Sequence, residues 1–403
     1  MKYVIIGNGA AGITAAEKIR ELEKEDSITI ISSEDCLVYS KCMLPDYIGE
    51  KLPREKLFIR DMKSYEKNRI EILFNENIKQ LDTSNCKVRL DSGRVLDYDK
   101  LLLAAGGSPF IPYMEGLDKV RSFTLNSVND ADHIRENVVR DGTALIVGGG
   151  LTGIELGFAL KNLGMKPLVI DRSDKILPKQ LDSESMKVLI GEIIDHGIEF
   201  SLSTTIDRIE SSYANTRGNG GRAVLSNGRE FDFDLIILTI GSKPNVDMVK
   251  DTGIKVERGI LVNDYMETSV KNVFAAGDIA ETINKLSDEY VSSYVWPNAM
   301  AQGKCAAFNM AGVMQEFSHS MLNSVQLRDI PFMSMGVVNP AGNDYEILTN
   351  YNKDLKIYKR VILKDNVVKG LIFYGDMKNA NMVAGLARKG IDVKEIKNQL
   401  TAI

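Results

Sequence analysis

Short, mainly apolar runs alternate with helix-like stretches through about residue 280. Runs of this length, bounded by turn residues, are typical of strands that a parallel sheet buries on both faces. The clearest runs lie at 2–6, 27–31, 101–105, 144–147, 166–170, 235–240 and 273–276. This alternation of strands and helices predicts an α/β fold with parallel sheets.

Beyond about residue 315 the pattern changes. Strands of hairpin type are predicted around 345–348, 358–363 and 370–374, and helices are predicted to begin near Asn379 and Val393. Antiparallel hairpins together with helices are typical of an α+β unit. We therefore expect a small α+β domain at residues 316–403.

Two of the predicted strands lead directly into the same signature, Gly-x-Gly-x-x-Gly, which a helix then continues. In this context the first glycine makes a tight turn, the second lets a pyrophosphate approach the backbone, and the third packs helix on strand. The N-terminus of the helix then binds the phosphates. Two copies predict that one chain binds two dinucleotides. The residues are Gly7, Gly9, Ala10, Ala11 and Gly12 in the first copy and Gly148, Gly150, Leu151, Thr152 and Gly153 in the second.

The acidic residue after the next strand indicates which dinucleotide each copy prefers. It lies about 20 residues beyond the signature and binds a ribose 2′-hydroxyl. Glu34 holds this position in the first copy and Asp171 in the second. A carboxylate repels a 2′-phosphate, so Asp171 favours NADH over NADPH. The neighbouring Arg172 could hold a 2′-phosphate, which leaves NADPH as the less favoured alternative.

A second motif also occurs twice. It is a buried strand that ends in a Gly-x-x-Pro turn, at 101–109 and again at 235–244. Each copy follows one glycine signature, which indicates an internal duplication with the second nucleotide-binding domain inserted into the first. We expect the first domain to comprise 1–112 and 241–315, and the inserted domain to comprise 113–240.

Composition narrows the class of protein. A chain of 403 residues that is 44% hydrophobic and 26% charged fits a soluble protein of two or three domains. The net charge of −5 argues against nucleic-acid binding, and no apolar run is long enough to span a membrane. The first strand starts too early for a signal peptide, and four irregularly spaced cysteines form no disulfide framework, so we expect a cytoplasmic location. The three histidines show no metal-ligand spacing, and no metal is expected.

Together with the stretch 272–280, which ends a buried strand in Gly277-Asp278, these motifs resemble the FAD/NAD(P)-dependent pyridine nucleotide oxidoreductases over the whole chain. The stretches 39–50 and 332–376 are similar to NADH:rubredoxin reductases and to the flavin domain of NADH-dependent nitrite reductases. The resemblance implies two Rossmann-like dinucleotide-binding domains of the glutathione-reductase-like type, plus the small α+β C-terminal domain. The first domain would bind FAD and the inserted domain NADH.

The resemblance also assigns FAD contacts to individual residues. Glu34 and the first signature would hold the adenosine half, and Asp278 would hydrogen-bond the ribityl chain. The helix starting near Pro297 would point its N-terminus at the flavin pyrimidine, where a positive helix end stabilises the charge of reduced flavin. Family members often have Thr in place of Ala105, so one polar contact would be missing. Gly106, Gly241, Asn298 and Ala299 are further candidates for cofactor binding.

Two charged residues are the catalytic candidates. Related ferredoxin reductases place a lysine beside flavin N5, and residues 39–41 match that stretch at Lys41. By the same resemblance Glu155 would lie on the nicotinamide side and form an ion pair with Lys41. Hydride would then pass from nicotinamide C4 to N5. In the alternative interpretation, Lys41 is a solvated loop residue and Glu155 an ordinary acid near a helix start.

Cys42 has two interpretations. It occupies the position where coenzyme A disulfide reductases and peroxide-reducing relatives have their single redox cysteine. A thiolate beside flavin, close to Lys41, would have a lowered pKa and could attack a disulfide or polysulfide. Alternatively, Cys42 is a small apolar residue that lines the flavin pocket.

We therefore expect an enzyme that oxidises NADH through FAD and passes electrons to a small rubredoxin- or ferredoxin-type protein. A Cys42-dependent reductase of coenzyme A disulfide or polysulfide, or an NADH oxidase, is one alternative. An NAD-linked FAD electron-transfer subunit of a larger redox complex is another. A homodimer is a further expectation.

Overall fold

The computed structural model describes residues 1–211, 220–284, 289–317, 322–327 and 330–402. The chain forms two compact units. The first unit comprises Met1–Ser40, Phe58–Ser108 and Lys243–Leu322, and the second comprises Lys41–Leu57, Pro109–Ser242 and Asn323–Ile403. The division into three domains with the boundaries given above stays a prediction.

The α-helices of the described residues differ widely in length. They are α1 Ala10–Leu22, α2 Leu44–Ile48, α3 Met62–Lys67, α4 Val128–Glu136, α5 Leu151–Asn162, α6 Ser183–Asp195, α7 Trp296–Met310, α8 Ala380–Lys389 and α9 Lys397–Leu400. Short 3₁₀ turns occur at Lys41–Met43, Arg54–Leu57, Leu117–Lys119, Asp247–Val249 and Lys394–Ile396. None of these helices is long and apolar enough to cross a membrane.

The strands fall into two groups by position. Those in the first 150 residues are β1 Lys2–Ile6, β2 Ser27–Ile31, β3 Ile70–Leu73, β4 Ile78–Asp82, β5 Lys87–Leu90, β6 Val95–Asp97, β7 Lys100–Leu103, β8 Gly107–Pro109, β9 Ser122–Thr124 and β10 Thr143–Val147. The later ones are β11 Lys166–Ile170, β12 Glu199–Ser201, β13 Ile206–Ser211, β14 Gly221–Leu225, β15 Glu230–Phe233, β16 Leu235–Leu238, β17 Ser242–Pro244, β18 Ile260–Leu261, β19 Val273–Ala275, β20 Ala280–Asn284, β21 Glu289–Ser292, β22 Leu322–Leu327, β23 Ile330–Gly336, β24 Glu346–Asn352, β25 Ile357–Lys364 and β26 Val367–Tyr374.

The first unit is built on a five-stranded parallel sheet with the order β19-β7-β1-β2-β3. Its central strands are buried almost completely, as their apolar runs predict. Helices α1 and α7 pack against each other so closely that a Cβ on Gly303 would lie 2.2 Å from the Ala11 carbonyl oxygen. The sheet therefore fixes the start of α1, and α1 in turn fixes α7.

The second unit contains a parallel sheet of the same design, with the order β12-β11-β10-β16-β9. It also contains part of a five-stranded C-terminal sheet with the order β22-β23-β26-β25-β24, whose described pairs β23–β26–β25–β24 are antiparallel. Helix α8 packs on β26 of that sheet. The predicted α/β class with two Rossmann-like sheets and a small α+β part is confirmed.

Candidate functional site

The first glycine signature has a geometry that the protein itself imposes at two of its three glycines. A Cβ on Gly7 would lie 2.2 Å from the Ala104 carbonyl oxygen, and Gly7 has φ +113°. A Cβ on Gly12 would lie 1.9 Å from the Gly7 carbonyl oxygen. A Cβ on Gly9, by contrast, would meet no heavy atom within 4 Å. Packing therefore requires the outer glycines, and open space lies beside the middle one.

The second signature repeats this geometry. A Cβ on Gly148, which has φ +119°, would lie 2.5 Å from the Thr239 carbonyl oxygen, and one on Gly153 would lie 2.0 Å from the Gly148 carbonyl oxygen. A Cβ on Gly150 would meet nothing within 4 Å. Gly150 is the N-cap of α5, as Gly9 is of α1, and neither helix has a side-chain cap. Ala10, Ala11, Leu151 and Thr152 form the first turns of these two helices.

Both helix starts fit a bound pyrophosphate. The first N–H groups of a helix have no intrahelical acceptor, and they attract anions most strongly where no side chain caps them. Open space at Gly9 and Gly150 leaves room for phosphate oxygens against the backbone. No protein contact explains the middle glycines, whereas a dinucleotide at each signature would require them.

Glu34 lies after β2 in the first unit, where a ribose hydroxyl is expected. Its carboxylate accepts a hydrogen bond from the Tyr39 hydroxyl at 2.7 Å and contacts Cys36 Sγ at 3.7 Å. The Ser32 hydroxyl accepts the Glu34 N–H at 3.2 Å. These contacts orient a half-buried carboxylate at the end of the strand.

Asp171 is held more tightly at the end of β11. One carboxylate oxygen accepts the Gly149 N–H at 2.7 Å, and the other accepts the Ser173 N–H at 2.8 Å. The adjacent Arg172 is exposed. The negative charge of Asp171 is therefore fixed against the second signature.

Asp278 follows β19 directly after Gly277, which has φ +80°. The Gly277 N–H donates to Gln302 Oε1 at 2.7 Å, so α7 fixes this turn. Helix α7 begins at Trp296, with Pro297 in its first turn and Ala299 buried behind it. Asp278 itself is half-buried.

Of the six buried polar atoms in the first unit that have no hydrogen-bond partner among the described residues, three lie in the first signature or in α7. They are Asn8 Nδ2, Asn298 Oδ1 and Gln302 Nε2. Buried polar atoms are nearly always satisfied, so each one suggests a missing ligand or water. Asn8 is the residue between the first two glycines of the signature, and Asn298 lies in the first turn of α7. These orphaned atoms fit a polar cofactor such as FAD in the first unit.

The two Gly-x-x-Pro motifs begin at glycines with positive φ, Gly106 at +63° and Gly241 at +105°, and their last three residues form the short strands β8 and β17 instead of the predicted turns. A Cβ on either would meet nothing within 4 Å. In the first unit, Asn245 fixes the backbone by donating to the Ala105 carbonyl at 2.8 Å and to the Gly106 carbonyl at 3.0 Å. In the second unit, the Gly241 carbonyl accepts the Phe110 N–H.

Lys41 and Cys42 lie in the 3₁₀ turn Lys41–Met43, and both are exposed. The turn leads into α2, which packs in the second unit against α4 and α5. Arg135 of α4 lies 4.4 Å above the Tyr47 ring, and the Tyr47 hydroxyl donates to Asp132 at 2.5 Å. The segment that carries the two candidates therefore belongs to the same unit as Glu155.

Glu155 lies on α5, two residues beyond Gly153, the last glycine of the second signature. The pKa of this carboxyl is raised to about 7, chiefly by burial and also by the Asp46 carboxylate, while Lys51 acts in the opposite direction. Lys41 is not among the charged groups that act on Glu155, and the ion pairs of the described residues include none between Lys41 and Glu155. Asp46 instead pairs with Lys51 at 2.9 Å. The Lys41–Glu155 ion pair expected from the sequence is therefore not formed in the structure.

Comparison with known proteins identifies the family of the chain. Residues 1–303 match the family described as pyridine nucleotide-disulphide oxidoreductase. The chain belongs to this family. Residues 322–391 match the family described as the rubredoxin NAD+ reductase C-terminal domain. Pyridine nucleotide-disulphide oxidoreductases bind FAD and use NADH, which confirms the expected cofactors. The preference for NADH over NADPH stays a prediction.

Three relatives of the chain within this oxidoreductase family illustrate its range. The nitrite reductase [NAD(P)H] of Bacillus subtilis is 29% identical over 98% of this chain and 48% of its own length. The assimilatory nitrate reductase electron transfer subunit of the same organism is 29% identical over 99% of this chain and 51% of its own length. The chain thus spans about half the length of these two relatives. The NADH:rubredoxin oxidoreductase from Clostridium acetobutylicum is similar over 98% of this chain and 97% of that structure, with 28% identity and a TM-score of 0.79.

Sequence reasoning missed some residues of the site. Asn8 could have been recognised because it is the polar residue inside the first signature. Gln302 and Asn245 gave no signal, since their hydrogen bonds to Gly277 and to the Gly-x-x-Pro motif join distant parts of the chain. Within the described residues, no group of three or more His, Cys, Asp or Glu side chains could hold a metal ion.

Proposed function

We propose that this chain takes hydride from NADH onto FAD and passes the electrons to a small rubredoxin- or ferredoxin-type protein. One observation carries the proposal: Gly9 and Gly150 are open on the ligand side in two signatures that are otherwise closed by packing. Two dinucleotide sites in one chain fit one cofactor that stays bound and a second that binds and dissociates in each turnover. Membership of the oxidoreductase family supports FAD in the first role and NADH in the second.

FAD, when bound, supplies the ability to accept two electrons as hydride and to release them singly. The residues of the chain would bind the FAD and polarise it. The start of α7, with Asn298 Oδ1 unpartnered, would present a positive helix end and a polar atom to the cofactor. Asp278 would accept hydrogen bonds from hydroxyl groups next to it. Lys41 is exposed and would add a positive charge that the cofactor can approach.

Glu155 has a separate role in this proposal. With its pKa near 7, the carboxyl is largely protonated below neutral pH. A neutral carboxyl one turn into α5 does not repel the phosphates that the start of the same helix would bind. Glu155 would therefore hold a proton close to the nicotinamide nucleotide and respond to its charge.

The choice of acceptor rests on the C-terminal part of the chain. Its match to the rubredoxin NAD+ reductase C-terminal domain, and the similarity to an NADH:rubredoxin oxidoreductase over nearly the whole length of both chains, favour a small one-electron protein. A homodimer and a cytoplasmic location stay predictions.

Anaerobic stopped-flow measurements test this function. The purified protein is reduced by NADH and then mixed with a rubredoxin, with coenzyme A disulfide or with dioxygen. We expect rubredoxin to reoxidise the flavin fastest. Faster reoxidation by the disulfide or by dioxygen would contradict the proposal and favour a thiol-dependent reductase or an NADH oxidase.

The length of the two Bacillus subtilis relatives favours a second candidate. Because this chain matches about half of each, it could act as the NAD-linked FAD electron-transfer subunit of a larger redox complex. In that case NADH would reduce the flavin and an artificial one-electron dye would reoxidise it rapidly, whereas rubredoxin turnover would be much slower than flavin reduction. Rubredoxin turnover as fast as flavin reduction excludes this candidate.

A further inference from the structure

The loop between β11 and α6, residues 171–182, begins at Asp171, which accepts a hydrogen bond from Gly149 of the second glycine signature. Besides the hydrogen bonds of Asp171, the loop contacts the signature through Ile176, whose Cγ2 lies 3.3 Å from the position of a Cβ on Gly149. Ile176 is buried. The loop therefore helps to hold the Asp171 carboxylate against the signature.

The middle of the loop has a backbone conformation that costs energy. Leu177 has φ +49° and is almost fully buried. Residues other than glycine rarely adopt this left-handed region, and they keep it only where the surrounding contacts enforce it. The loop is thus held in a shape that it would not adopt alone.

Backbone hydrogen bonds from Ser203 and Thr204 hold the start of the loop, and side chains from the C-terminal part of the chain hold its second half. Just beyond β23, Asn339 donates from Nδ2 to the Pro178 carbonyl at 3.0 Å and to the Leu181 carbonyl at 2.8 Å. One exposed side chain thus holds two carbonyl groups of the loop, immediately after Leu177.

The end of the loop is held by a buried carboxylate. Asp182 caps α6 by accepting the Ser185 N–H at 3.0 Å. Its other oxygen accepts the Tyr358 hydroxyl at 2.5 Å and Arg360 Nη1 at 2.6 Å, both from β25. Burial, followed by the hydrogen bond to Asp182, raises the pKa of Tyr358 far above its usual value, so the hydroxyl remains a donor.

We propose that Asn339 and Tyr358 are positioning residues for the nicotinamide dinucleotide: they hold loop 171–182 in the shape that presents Asp171 to the ribose. This inference rests on the proposed function, because it requires NADH to bind at the second signature. When a hydrogen bond to the loop is lost, the loop populates other shapes. The apparent affinity for NADH is then the intrinsic affinity multiplied by the fraction of molecules whose loop keeps the competent shape.

The two tyrosines that face each other on β25 and β26 provide a matched test. Tyr358 and Tyr374 are cross-strand partners and both are fully buried, but the Tyr374 hydroxyl has no hydrogen-bond partner among the described residues. Tyr358→Phe should raise the Kd for NADH, and for its redox-inactive fragment ADP-ribose, by about tenfold, the loss typical of one hydrogen bond to a charged group. Tyr374→Phe should leave both constants unchanged.

A positioning role and a general loss of stability give different results. In the Tyr358→Phe variant we expect FAD content and the limiting rate of flavin reduction at saturating NADH to equal those of the wild type. Asn339→Ala changes an exposed side chain, so it should fold, and it should weaken NADH and ADP-ribose binding in the same way. If Tyr358→Phe does not fold, Asn339→Ala decides alone.

The outcomes separate the two proposals. A wild-type protein that binds neither NADH nor ADP-ribose would contradict the proposed function. A wild-type protein that binds both, with unchanged constants in Asn339→Ala and in any folded Tyr358→Phe variant, would overturn the positioning role and leave the function intact. An equal loss in Tyr374→Phe would also overturn it.

Discussion

The Asp171 carboxylate accepts the backbone N–H of Gly149 at 2.7 Å, which joins the end of β11 to the second glycine signature. Its other oxygen is held by the Ser173 N–H, so the carboxylate has little freedom to move away from a ligand. A fixed negative charge at this position favours a ribose with a free 2′-hydroxyl and opposes a 2′-phosphate.

Cofactor preference should therefore depend on Asp171. We expect the wild-type protein to have a higher kcat/KM with NADH than with NADPH. Asp171→Ala should shift the ratio toward NADPH, because it removes the repulsion and leaves the exposed Arg172 to bind the 2′-phosphate. The double variant with Arg172→Ala should lose that gain. An equal or better kcat/KM of the wild type with NADPH would contradict the expected preference.

Lys41 should affect the rate of flavin reduction and not the binding of FAD. Lys41→Met removes a positive charge, and we expect single-turnover reduction by NADH to slow by about tenfold or more while FAD stays bound. Lys56→Met, at another exposed lysine of the segment Lys41–Leu57, is the control, and its flavin should be reduced at the wild-type rate. An unchanged rate in Lys41→Met would show that Lys41 has no part in hydride transfer.

Glu155 should make the stability of the protein depend on pH. Its pKa is raised to about 7 in the folded chain and returns to the usual carboxyl range on unfolding. Between these two values the folded state binds more protons than the unfolded state, so this residue lowers the free energy of unfolding as pH rises through that window. Glu155→Gln removes the effect.

Thermal unfolding at two pH values measures this contribution. The difference in Tm, Glu155→Gln minus wild type, should be more positive at pH 8 than at pH 5 when both proteins are measured without nucleotide. Asp46→Asn should shift the midpoint of the wild-type dependence to lower pH, since it removes a negative charge that acts on Glu155. A Tm difference that is the same at both pH values would show that Glu155 titrates normally.

Features that depend on residues close together in the sequence could be predicted, whereas contacts between distant residues could not. The glycine signatures, the strands that precede them and the acidic residues at Glu34 and Asp171 are local features. Turn geometry dictates the strand, turn and helix at each signature, so these were predicted where the structure has them, whereas the ribose contacts of Glu34 and Asp171 stay predictions.

Contacts between distant parts of the chain were not predictable in this way. The Lys41–Glu155 ion pair was expected from a resemblance, but α2 packs on α5 so that Asp46 and Lys51 act on Glu155 instead. Similarly, the hydrogen bond from Tyr358 to Asp182 spans 176 residues, and no local pattern links the two partners. Such contacts depend on how whole elements pack.

Cys42 separates electron transfer from thiol chemistry. If the electrons leave from flavin alone, Cys42→Ser should keep most of the NADH-to-rubredoxin or NADH-to-dye activity. If a disulfide is the substrate, the serine hydroxyl cannot form the mixed disulfide and turnover should stop. We expect an active variant, and no long-wavelength charge-transfer band between thiolate and flavin in the reduced wild type. A clear band together with an inactive variant would favour the thiol reductase.

The most direct test of two dinucleotide sites in one chain compares Gly9→Ala with Gly150→Ala. Both positions have φ values that alanine adopts, −92° and −76°, and a Cβ at either meets no protein atom within 4 Å, so both variants should fold. Gly9→Ala should be purified with little FAD. Gly150→Ala should keep its FAD and show a KM for NADH raised by about tenfold or more. Full FAD content in the first variant, with unchanged NADH affinity in the second, would contradict the account.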